Sequence, residues 1–390
     1  MFFVKSAWIV DFNCEDIGME TIPDITIPPS MLPGDGRFGS GPSKVRQVAV
    51  DELASQAVDF LGTSHRQDRV KLAVAALRNG LLEMFDAPDG YEIVLGNGGA
   101  TLFWDAATFG LIQDKGQFLV SGEFSSKFAK AAKLAPHLGD QQIIEGEPGT
   151  APALEANADV DVYCYPHNET STGVSFPVER PAGDGLVLVD ATSGAGGLAF
   201  DAANTDAYYF APQKCFSSDG GLWLALCSPA ATDRIDQLAA TDRWVPEILN
   251  LKTALDNSRK DQTYNTPALA TIFLALKYTE WVNENGGLSF AAGRSDESAA
   301  IMYGWADASD YAQPFVANEA NRSHVVATID LDDKIDADTV VAVLRANGIL
   351  DTGGYRKLGR NQIRISMMPS VDPSDIEALT HSIDHVVSSL

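Results

Sequence analysis

A lysine, Lys214, stands directly after an apolar run and before small polar residues and glycines. The run is YYF (208–210), the lysine lies in APQKCFSSDGG (211–221), and no charged residue adjoins it. A lysine held in apolar surroundings has a lowered pKa, and its neutral amine can form an imine with a carbonyl compound. The alternative is a lysine that extends from the end of a strand into water, and the residue alone leaves both interpretations open.

A carboxylate occupies a similar position upstream, because Asp190 ends the apolar run LVLV (186–189). The interval to Lys214 leaves room for one connection and a further strand. An acid and a lysine at neighbouring strand ends suit pyridoxal phosphate (PLP): the acid keeps the pyridine nitrogen protonated, and the lysine holds the aldehyde and later moves a proton. Asp190 could instead cap a helix or bind a metal. No cluster of His or carboxylates accompanies it, so we expect no metal site.

A glycine-rich turn, GNGGAT (96–101), separates the apolar run YEIVL (91–95) from a helical pattern. The free N–H groups at the start of such a helix can bind a phosphate. Thr101 stands where a dinucleotide-binding fingerprint has its third glycine. The looser match GAGGLA (194–199) is not followed by a helical pattern, so we expect no nicotinamide site. We interpret Trp104, in the helix after the turn, as a packing residue.

Two basic segments interrupt an otherwise acidic chain. They are GTSHR (62–66) and YRKLGRNQIR (355–364). Guanidinium groups bind carboxylates and phosphates in a bidentate manner, although either segment by itself could equally be a solvated loop. His381 and His385 lie one turn apart in the last predicted helix, and we place them on its wet face.

The composition limits the class of protein. The 390 residues include 28 Lys and Arg against 53 Asp and Glu, a formal charge of −25, and 45% are hydrophobic. Such a chain is too apolar to be disordered, and its charge argues against nucleic acid or an anionic membrane as a partner. The four cysteines form no CxxC pair, which favours reduced thiols in a cytoplasmic protein; they are Cys14, Cys164, Cys215 and Cys227.

Helical and strand patterns alternate from about residue 45 to 285, which predicts an α/β fold with a mostly parallel sheet. Ligands of such sheets gather at the carboxyl ends of the strands. Helices are predicted at 47–61 and 69–85. The first of them carries apolar residues on one face, namely Val50, Leu53, Ala54, Ala57, Val58 and Leu61. Short apolar runs predict strands at 91–95, 118–120, 160–165, 186–189, 208–210 and 222–226.

The pattern changes after the glycine pair at 286–287, and a small α+β unit is predicted to follow. Strands are predicted at 325–331 and 362–367, and helices at 338–347 and 374–390. We therefore expect a large domain over 45–285 and a small C-terminal domain over 286–390. Residues 1–18 are interpreted as a disordered extension or an over-long start. Residues 19–44, which include a proline-rich stretch at 23–33, are expected to pack near the small domain or cross between the two.

Taken together, these motifs resemble the phosphoserine aminotransferase family, which belongs to the fold-type I PLP enzymes of the class V aminotransferase group. The resemblance covers about residues 35–390. Its most specific pieces are GRFGSGPSKV (36–45), GTSHR (62–66), GNGGAT (96–101), HNETSTG (167–173), VDATSG (189–194), APQK (211–214), TYNTPA (263–268) and the arginine-rich segment 356–364.

The resemblance implies a role for each matching residue. Lys214 is similar to the Schiff-base lysine, Asp190 to the partner of the pyridine nitrogen, and Thr170 to the residue that hydrogen-bonds the phenolic oxygen. Phe124 matches a ring-stacking aromatic, often Trp in the family. Asn265 and Thr266 match a pair that reaches the PLP phosphate from the neighbouring subunit, which implies a homodimer with shared sites. The implied cofactor-binding set is Gly99, Ala100, Thr101, Phe124, Thr170, Asp190, Thr192, Gln213, Lys214, Asn265 and Thr266; the implied substrate-binding set is His65, Arg66, Arg356 and Arg364.

Two positions depart from the family. Thr101 stands where an arginine is common, and Tyr355 where a histidine is common, and Lys357 or Arg360 could replace the missing charge. The implied reaction is a two-step transfer of an amino group from glutamate to 3-phosphohydroxypyruvate in serine biosynthesis, and the resemblance also permits the related reaction of vitamin B6 biosynthesis. The rivals are another class V transaminase such as a serine–glyoxylate aminotransferase, a cysteine desulfurase, and a non-catalytic module on the same fold.

Overall fold

A seven-stranded sheet fills the middle of the molecule in the computed structural model, which describes residues 22–390. The helices are α1 (Gln47–Phe60), α2 (Asp68–Met84), α3 (Ala100–Gly110), α4 (Glu123–Leu134), α5 (Pro229–Ala239), α6 (Leu251–Ser258), α7 (Leu269–Glu284), α8 (Leu288–Ala308), α9 (Ala337–Ala346) and α10 (Pro373–Ser389). The strands are β1 (Glu92–Asn97), β2 (Gly116–Val120), β3 (Gln142–Glu145), β4 (Val162–Pro166), β5 (Asn168–Glu169), β6 (Val174–Ser175), β7 (Leu186–Asp190), β8 (Ala207–Phe210), β9 (Leu222–Cys227), β10 (Ala312–Pro314), β11 (Val326–Leu331) and β12 (Gln362–Ser366).

The large sheet has the order β1-β9-β8-β7-β4-β2-β3. Only β9 runs against its neighbours, since it pairs antiparallel with both β1 and β8 while the other pairs are parallel. The carboxyl ends of β1, β4, β7 and β8 therefore lie along one edge of the sheet. The predicted mostly parallel α/β architecture is confirmed, and that edge is where its ligands should bind.

Helices cover both faces of this sheet, which explains why its strands read as continuous apolar runs. Strand β7 is the simplest case: Val187 and Val189 pack into the core on one face, and Leu188 packs into the core on the other. Alternate side chains of a strand point to opposite faces, so both sets must be apolar. The first core is closed by α2 and α7, and the second by α3, α4 and α5.

A second, three-stranded antiparallel sheet, β10-β11-β12, lies in the C-terminal part of the chain. Residues of α8, α9 and α10 pack on it in a separate core, and Ile27 and Phe38 from the N-terminal segment join that core. Asn347 fastens the same segment, donating to the carbonyl of Ile25 and accepting from the N–H of Ile27 (both 2.9 Å). The domain limits at 44 and 285 stay predictions, and the interpretation of residues 1–18 falls outside the described part of the chain.

One expectation about the elements needs correction, and one strand of the large sheet was not expected. Most of the apolar face predicted for α1 is not buried in this chain: Val50 and Leu61 are exposed and Val58 is 98% exposed, while Leu53 packs against the core. The buried side chains of α1 are those of Ala49 and Phe60. Strand β3 was not predicted: it lies at the sheet edge with an alternating half-exposed pattern, so no apolar run marks it.

Between residues 22 and 390 no helix is both long and apolar enough to cross a membrane.

The two histidines of α10 differ in their surroundings. His381 lies on the exposed side of the helix, as predicted, while His385 is half-buried and contacts the carbonyl of Thr26 through Nε2 (3.3 Å).

Candidate active site

A cavity of about 280 Å³ opens at the carboxyl ends of the parallel strands. Its size is near the lower end of the roughly 300–1,000 Å³ typical of small-molecule sites. Residues predicted from the sequence to bind the cofactor form most of its lining: Gly99, Ala100, Thr101, Phe124, Thr170, Asp190, Thr192, Gln213 and Lys214. Gly41, Pro42, Trp104, Pro166 and Asn168 complete it.

Lys214 follows β8 by four residues and is 8% exposed. Its Nζ donates a hydrogen bond to the carbonyl of Ser40 (2.8 Å) and lies 6.0 Å from the centre of the Phe124 ring. Burial, and after it the charge of Arg364, lowers the pKa of Lys214 to about 8. The alternative of a lysine extended into water is therefore wrong, and the neutral fraction of this amine near physiological pH is far larger than that of an exposed lysine.

The segment before α1 forms one wall of the lysine's environment. Gly41 has φ +150°, and a Cβ built there would lie 1.8 Å from Lys214 Nζ. Ser40 and Gly41 were not predicted to be site residues, although both lie in the GRFGSGPSKV motif. Their part depends on a contact with a residue more than 170 positions away, which no local pattern can reveal.

Asp190, the last residue of β7, is buried, and burial raises the pKa of its carboxyl group. Its Oδ1 accepts from the N–H of Thr192 (2.9 Å), and its Oδ2 accepts from the indole N–H of Trp104 (3.1 Å). Trp104 does pack on Phe128, but the interpretation of Trp104 as a packing residue alone is wrong. It lines the cavity and orients the carboxylate.

Phe124 and Thr170 lie on two segments that border the cavity. Phe124 is in the first turn of α4, and Thr170 follows β5. The Thr170 hydroxyl donates to Ser193 Oγ (2.8 Å), and the side-chain amide of Asn168 donates to the same atom (2.9 Å). Asn168 was not predicted to be a site residue, although it belongs to the HNETSTG motif.

The start of α3 provides a place for a phosphate. Gly98 has φ +105°, a conformation that favours glycine. The turn that Gly98 forms brings Gly99 and Ala100 to the cavity wall. The first N–H groups of a helix have no partner within it, and its positive end favours an anion. Thr101 brings no charge here, so the phosphate site differs from one that carries arginine at this position.

Three buried polar atoms of the lining have no hydrogen-bond partner within the described residues. They are Asn168 Oδ1, Thr192 Oγ1 and Gln213 Oε1. Buried polar atoms without partners are uncommon in folded proteins and call for an explanation. A polar ligand in the cavity explains all three, and together with Lys214 and Asp190 they fit PLP.

Arg364, on β12, approaches the cavity from the second sheet. Its Nη1 donates to the carbonyl of Thr170 (3.2 Å), its guanidinium lies 5.3 Å from the ring centre of Tyr355, and its buried Nε has no partner among the described residues. Donors of this charged group therefore remain for a carboxylate. Tyr355 also lies near Phe124, with ring centres 6.2 Å apart.

The other cations of the late basic segment are arranged differently. Lys357 forms an ion pair with Glu123, and Arg360 forms one with Asp330. These contacts leave neither residue as a replacement for the charge absent at Thr101 and Tyr355. Arg356 is exposed and lies in a short 3-10 helix next to Tyr355.

Four predicted site residues form a separate group that does not line this cavity. Thr266 Oγ1 contacts His65 Nδ1 (3.2 Å), and Asn97 links the group to the end of β1 by accepting from the Asn265 N–H (3.2 Å) and donating to the Thr266 carbonyl (3.1 Å). Arg66 adjoins His65 and is exposed. Burial, followed by the charge of Arg66, lowers the pKa of His65.

The cysteines of the described residues do not suit nucleophilic chemistry. Cys164, Cys215 and Cys227 are free and buried. Burial raises the pKa of Cys215 to about 12, and its thiol donates to the carbonyl of Ser193 (3.2 Å). A desulfurase needs a thiolate on a mobile loop, and none of these three provides one. Residues 22–390 also hold no group of three or more His, Cys, Asp or Glu side chains arranged for a metal ion.

The sequence matches known proteins over almost its whole length. A sequence model of the family "Aminotransferase class-V" matches residues 38–379. Two phosphoserine aminotransferases are similar at 57% identity (Nocardioides sp., 94% of this chain and 99% of that protein) and 55% identity (Rhodococcus jostii, 93% and 98%).

Solved structures share the fold. The phosphoserine aminotransferase of Cytophaga hutchinsonii superimposes with a TM-score of 0.83 at 23% identity, over 90% of this chain and 99% of that one. The PLP-bound phosphoserine aminotransferase of Trichomonas vaginalis superimposes with a TM-score of 0.78 at 20% identity, over 90% and 99%. At these identities the likeness establishes the fold, which is that of the fold-type I aminotransferases.

Proposed function

The chain belongs to the class V aminotransferase family, and from that premise we propose that it is a phosphoserine aminotransferase of serine biosynthesis. It transfers the amino group of glutamate to 3-phosphohydroxypyruvate and gives 2-oxoglutarate and O-phosphoserine. The observation that carries the proposal is that Lys214, with its lowered pKa, and the buried Asp190 line one cavity.

PLP is the cofactor in this proposal. When bound, it withdraws electrons from the α-carbon of the amino acid, which makes that carbon's proton acidic. The start of α3 would hold its phosphate together with Thr192 and Gln213, and Phe124 would cover its ring. The partnerless Asn168 Oδ1 and Gln213 Oε1 support a polar ligand here.

Lys214 and Asp190 have complementary tasks. The amine of Lys214 is neutral often enough to act as a nucleophile and as a base, and it moves the proton from the α-carbon of the substrate. Asp190 is held by Trp104 and the Thr192 N–H, and its carboxylate would keep the ring nitrogen of bound PLP protonated. The burial of Asp190 would strengthen that charge pair, since water would not screen it.

Each substrate is a small molecule with two anionic groups, and Arg364 is the residue that we assign to the α-carboxylate. Its Nε has no partner among the described residues, and Tyr355 and Thr170 hold the guanidinium in place. Arg356 extends the positive charge toward the distal phosphate or carboxylate. One site can then accept both substrates in turn, because each carries an α-carboxylate and a second anionic end.

The proposal includes a homodimer whose subunits share active sites. His65, Arg66, Asn265 and Thr266 lie together outside the cavity of their own chain, which suits a contribution to the cavity of a second copy. Exposed apolar side chains on nearby segments support a surface that a second copy of the chain covers. They are Val48, Val58, Leu61, Leu72 and Tyr264. A cytoplasmic location belongs to the same proposal.

Hybrid dimers test the shared site. Lys214→Ala and Arg66→Ala should each be nearly inactive as pure dimers. In a co-expressed hybrid isolated with two affinity tags, one site carries both defects and the other carries neither, so about half of the wild-type activity per dimer should return. A hybrid that is as inactive as its parents would place Arg66 in the site of its own chain.

Substrate assays separate the candidate functions. Glutamate and 3-phosphohydroxypyruvate should give turnover, whereas serine with glyoxylate should not, because the relatives described above are phosphoserine aminotransferases. The phosphorylated 2-oxo acid of vitamin B6 synthesis is a further substrate to measure. Efficient turnover of serine with glyoxylate alone would favour the alternative transaminase, and PLP binding without turnover of any donor would favour a non-catalytic module.

A further inference from the structure

Glu169, next to Thr170, is a carboxylate with 0% of its surface exposed. Its Oε2 accepts from the N–H (2.9 Å) and the hydroxyl (2.8 Å) of Ser125, and its Oε1 accepts from the N–H (3.2 Å) and the hydroxyl (2.6 Å) of Ser171. A fifth, longer bond comes from the N–H of Phe124 (3.4 Å). Both oxygens accept, and each of these donors is neutral. Burying a carboxylate without a cationic partner is costly, and hydrogen bonds from neutral donors offset only part of that cost.

The donors belong to the two segments that border the cavity. Helix α4 begins after Gly122, whose lack of a side chain leaves the helix without a cap of its own. Glu169 instead accepts from the N–H groups of the first turn, while Ser171 Oγ accepts from the N–H of Glu123 (3.0 Å). An anion at a helix N-terminus is stabilised by the helix dipole. One buried carboxylate thus fixes the start of the helix that presents Phe124.

Close packing holds this arrangement in one geometry. A Cβ at Gly122 would lie 2.4 Å from Ser171 Oγ and 2.6 Å from Glu169 Cγ. The backbone of Gly122 is extended (φ 170°), so glycine is required here by space and not by its conformation. The start of α4 can approach the carboxylate this closely only because no side chain intervenes.

We propose that Glu169 is a positioning residue of the cofactor site, which locks Phe124 and Thr170 relative to each other across the cavity. The inference rests on the proposed function, since it assigns to those two residues the ring and the phenolic oxygen of PLP. The Thr170 carbonyl also accepts from Arg364, so the same segment supports the residue assigned to the substrate carboxylate.

Glu169→Gln is the direct test, because it keeps the shape and removes one acceptor. Its NH2 group must face either the Ser125 N–H or the Ser171 N–H, and a backbone N–H cannot become an acceptor. The dissociation constant of PLP, measured by titration of the cofactor-free protein, should rise roughly tenfold or more, in line with the loss of a hydrogen bond to a charged group. The visible circular dichroism of bound PLP, which reports the orientation of its ring, should weaken.

Asp161→Asn is the matched control. Asp161 also accepts from backbone N–H groups, those of Gln113, Asp114 and Lys115 (each 2.8 Å), but it precedes β4 and so lies at the opposite edge of the sheet. Its replacement should lower the free energy of unfolding while PLP affinity and visible circular dichroism stay at wild-type values.

The outcomes separate the inference from the proposed function. A wild-type protein that binds no PLP contradicts the function itself. Wild-type binding combined with unchanged affinity and circular dichroism in Glu169→Gln overturns the role of Glu169 alone. If that variant does not fold, Ser171→Ala takes its place, because it removes one donor to Glu169 and the acceptor of the Glu123 N–H. A smaller shift in the same two quantities supports the inference, and no shift overturns it.

Discussion

The burial of Lys214 predicts that this lysine destabilises the cofactor-free fold at neutral pH. Its pKa falls from an ordinary 10.5 to about 8, chiefly because the amine is buried. Between these two values the unfolded chain binds a proton at this position and the folded chain does not. The free energy of unfolding should therefore rise with pH across that window. Below about pH 8 the fold carries the full cost of a buried cation.

The size of the effect follows from the two pKa values. The charged amine is about 3 kcal/mol less favourable in the fold than in the unfolded chain at about pH 7. Near pH 9.5 the folded amine is already neutral, and about 1.4 kcal/mol of the difference remains. Lys214→Met, which keeps the length and removes the charge, should thus gain about 2 kcal/mol more over the wild type at the lower pH than at the higher one. Loss of the hydrogen bond to the Ser40 carbonyl lowers the free energy of unfolding of Lys214→Met by the same amount at both pH values, so it cancels in this comparison.

Urea unfolding of the cofactor-free proteins at the two pH values measures this quantity. Lys130→Met is the matched control, since Lys130 is exposed on α4, and its effect on the free energy of unfolding should be the same at both pH values. If Lys214→Met and the wild type differ in free energy of unfolding by the same amount at both pH values, the reasoning is refuted, because the Lys214 amine would then titrate as it does in water.

Three further substitutions test other contacts of the site. Trp104→Phe removes the donor to Asp190 Oδ2 and should raise the dissociation constant of PLP by about tenfold, the effect of one hydrogen bond to a charged group; unchanged affinity in a titration would leave Trp104 a packing residue. Arg364→Gln should raise KM for both glutamate and 3-phosphohydroxypyruvate by at least about 30-fold, since a charged contact of this kind contributes a few kcal/mol, and unchanged KM values would remove Arg364 from the site. Gly41→Ala places a methyl group on Lys214 Nζ and strains a backbone with φ +150°, so it should lower Tm and also lower kcat by about tenfold or more; full activity would show that the position of the Lys214 amine does not depend on Gly41.

The placement of Lys214 and Asp190 in one cavity could be predicted from the sequence because it depends on local features. Lys214 and Asp190 each follow an apolar run, and the alternation of strands and helices places such strand ends at one edge of a parallel sheet. The lowered pKa of Lys214 follows from the same apolar context. These are properties of a few neighbouring residues, so the sequence contains them directly.

The remaining features depend on contacts between distant residues. Trp104 reads as an apolar helix residue, and only its approach to Asp190 makes it part of the site. Glu169 reads as an ordinary acidic residue of a short motif, and its burial depends on Ser125 of another element. The apolar face of α1 illustrates a different limit. Periodicity indicates that Val58 belongs to an apolar helix face, but it does not indicate whether that face packs against the core of its own chain. In this chain Val58 is exposed.

The half-reaction of the purified protein tests the central claim most directly. Glutamate added to the PLP-loaded protein should remove the visible absorbance of the bound cofactor and release 2-oxoglutarate, and 3-phosphohydroxypyruvate added afterwards should restore the absorbance and yield O-phosphoserine. Lys214→Ala should do neither. An absorbance that glutamate leaves unchanged in the wild type, or a Lys214→Ala variant that turns over at the wild-type rate, would contradict the assignment of Lys214 and Asp190 as the catalytic pair.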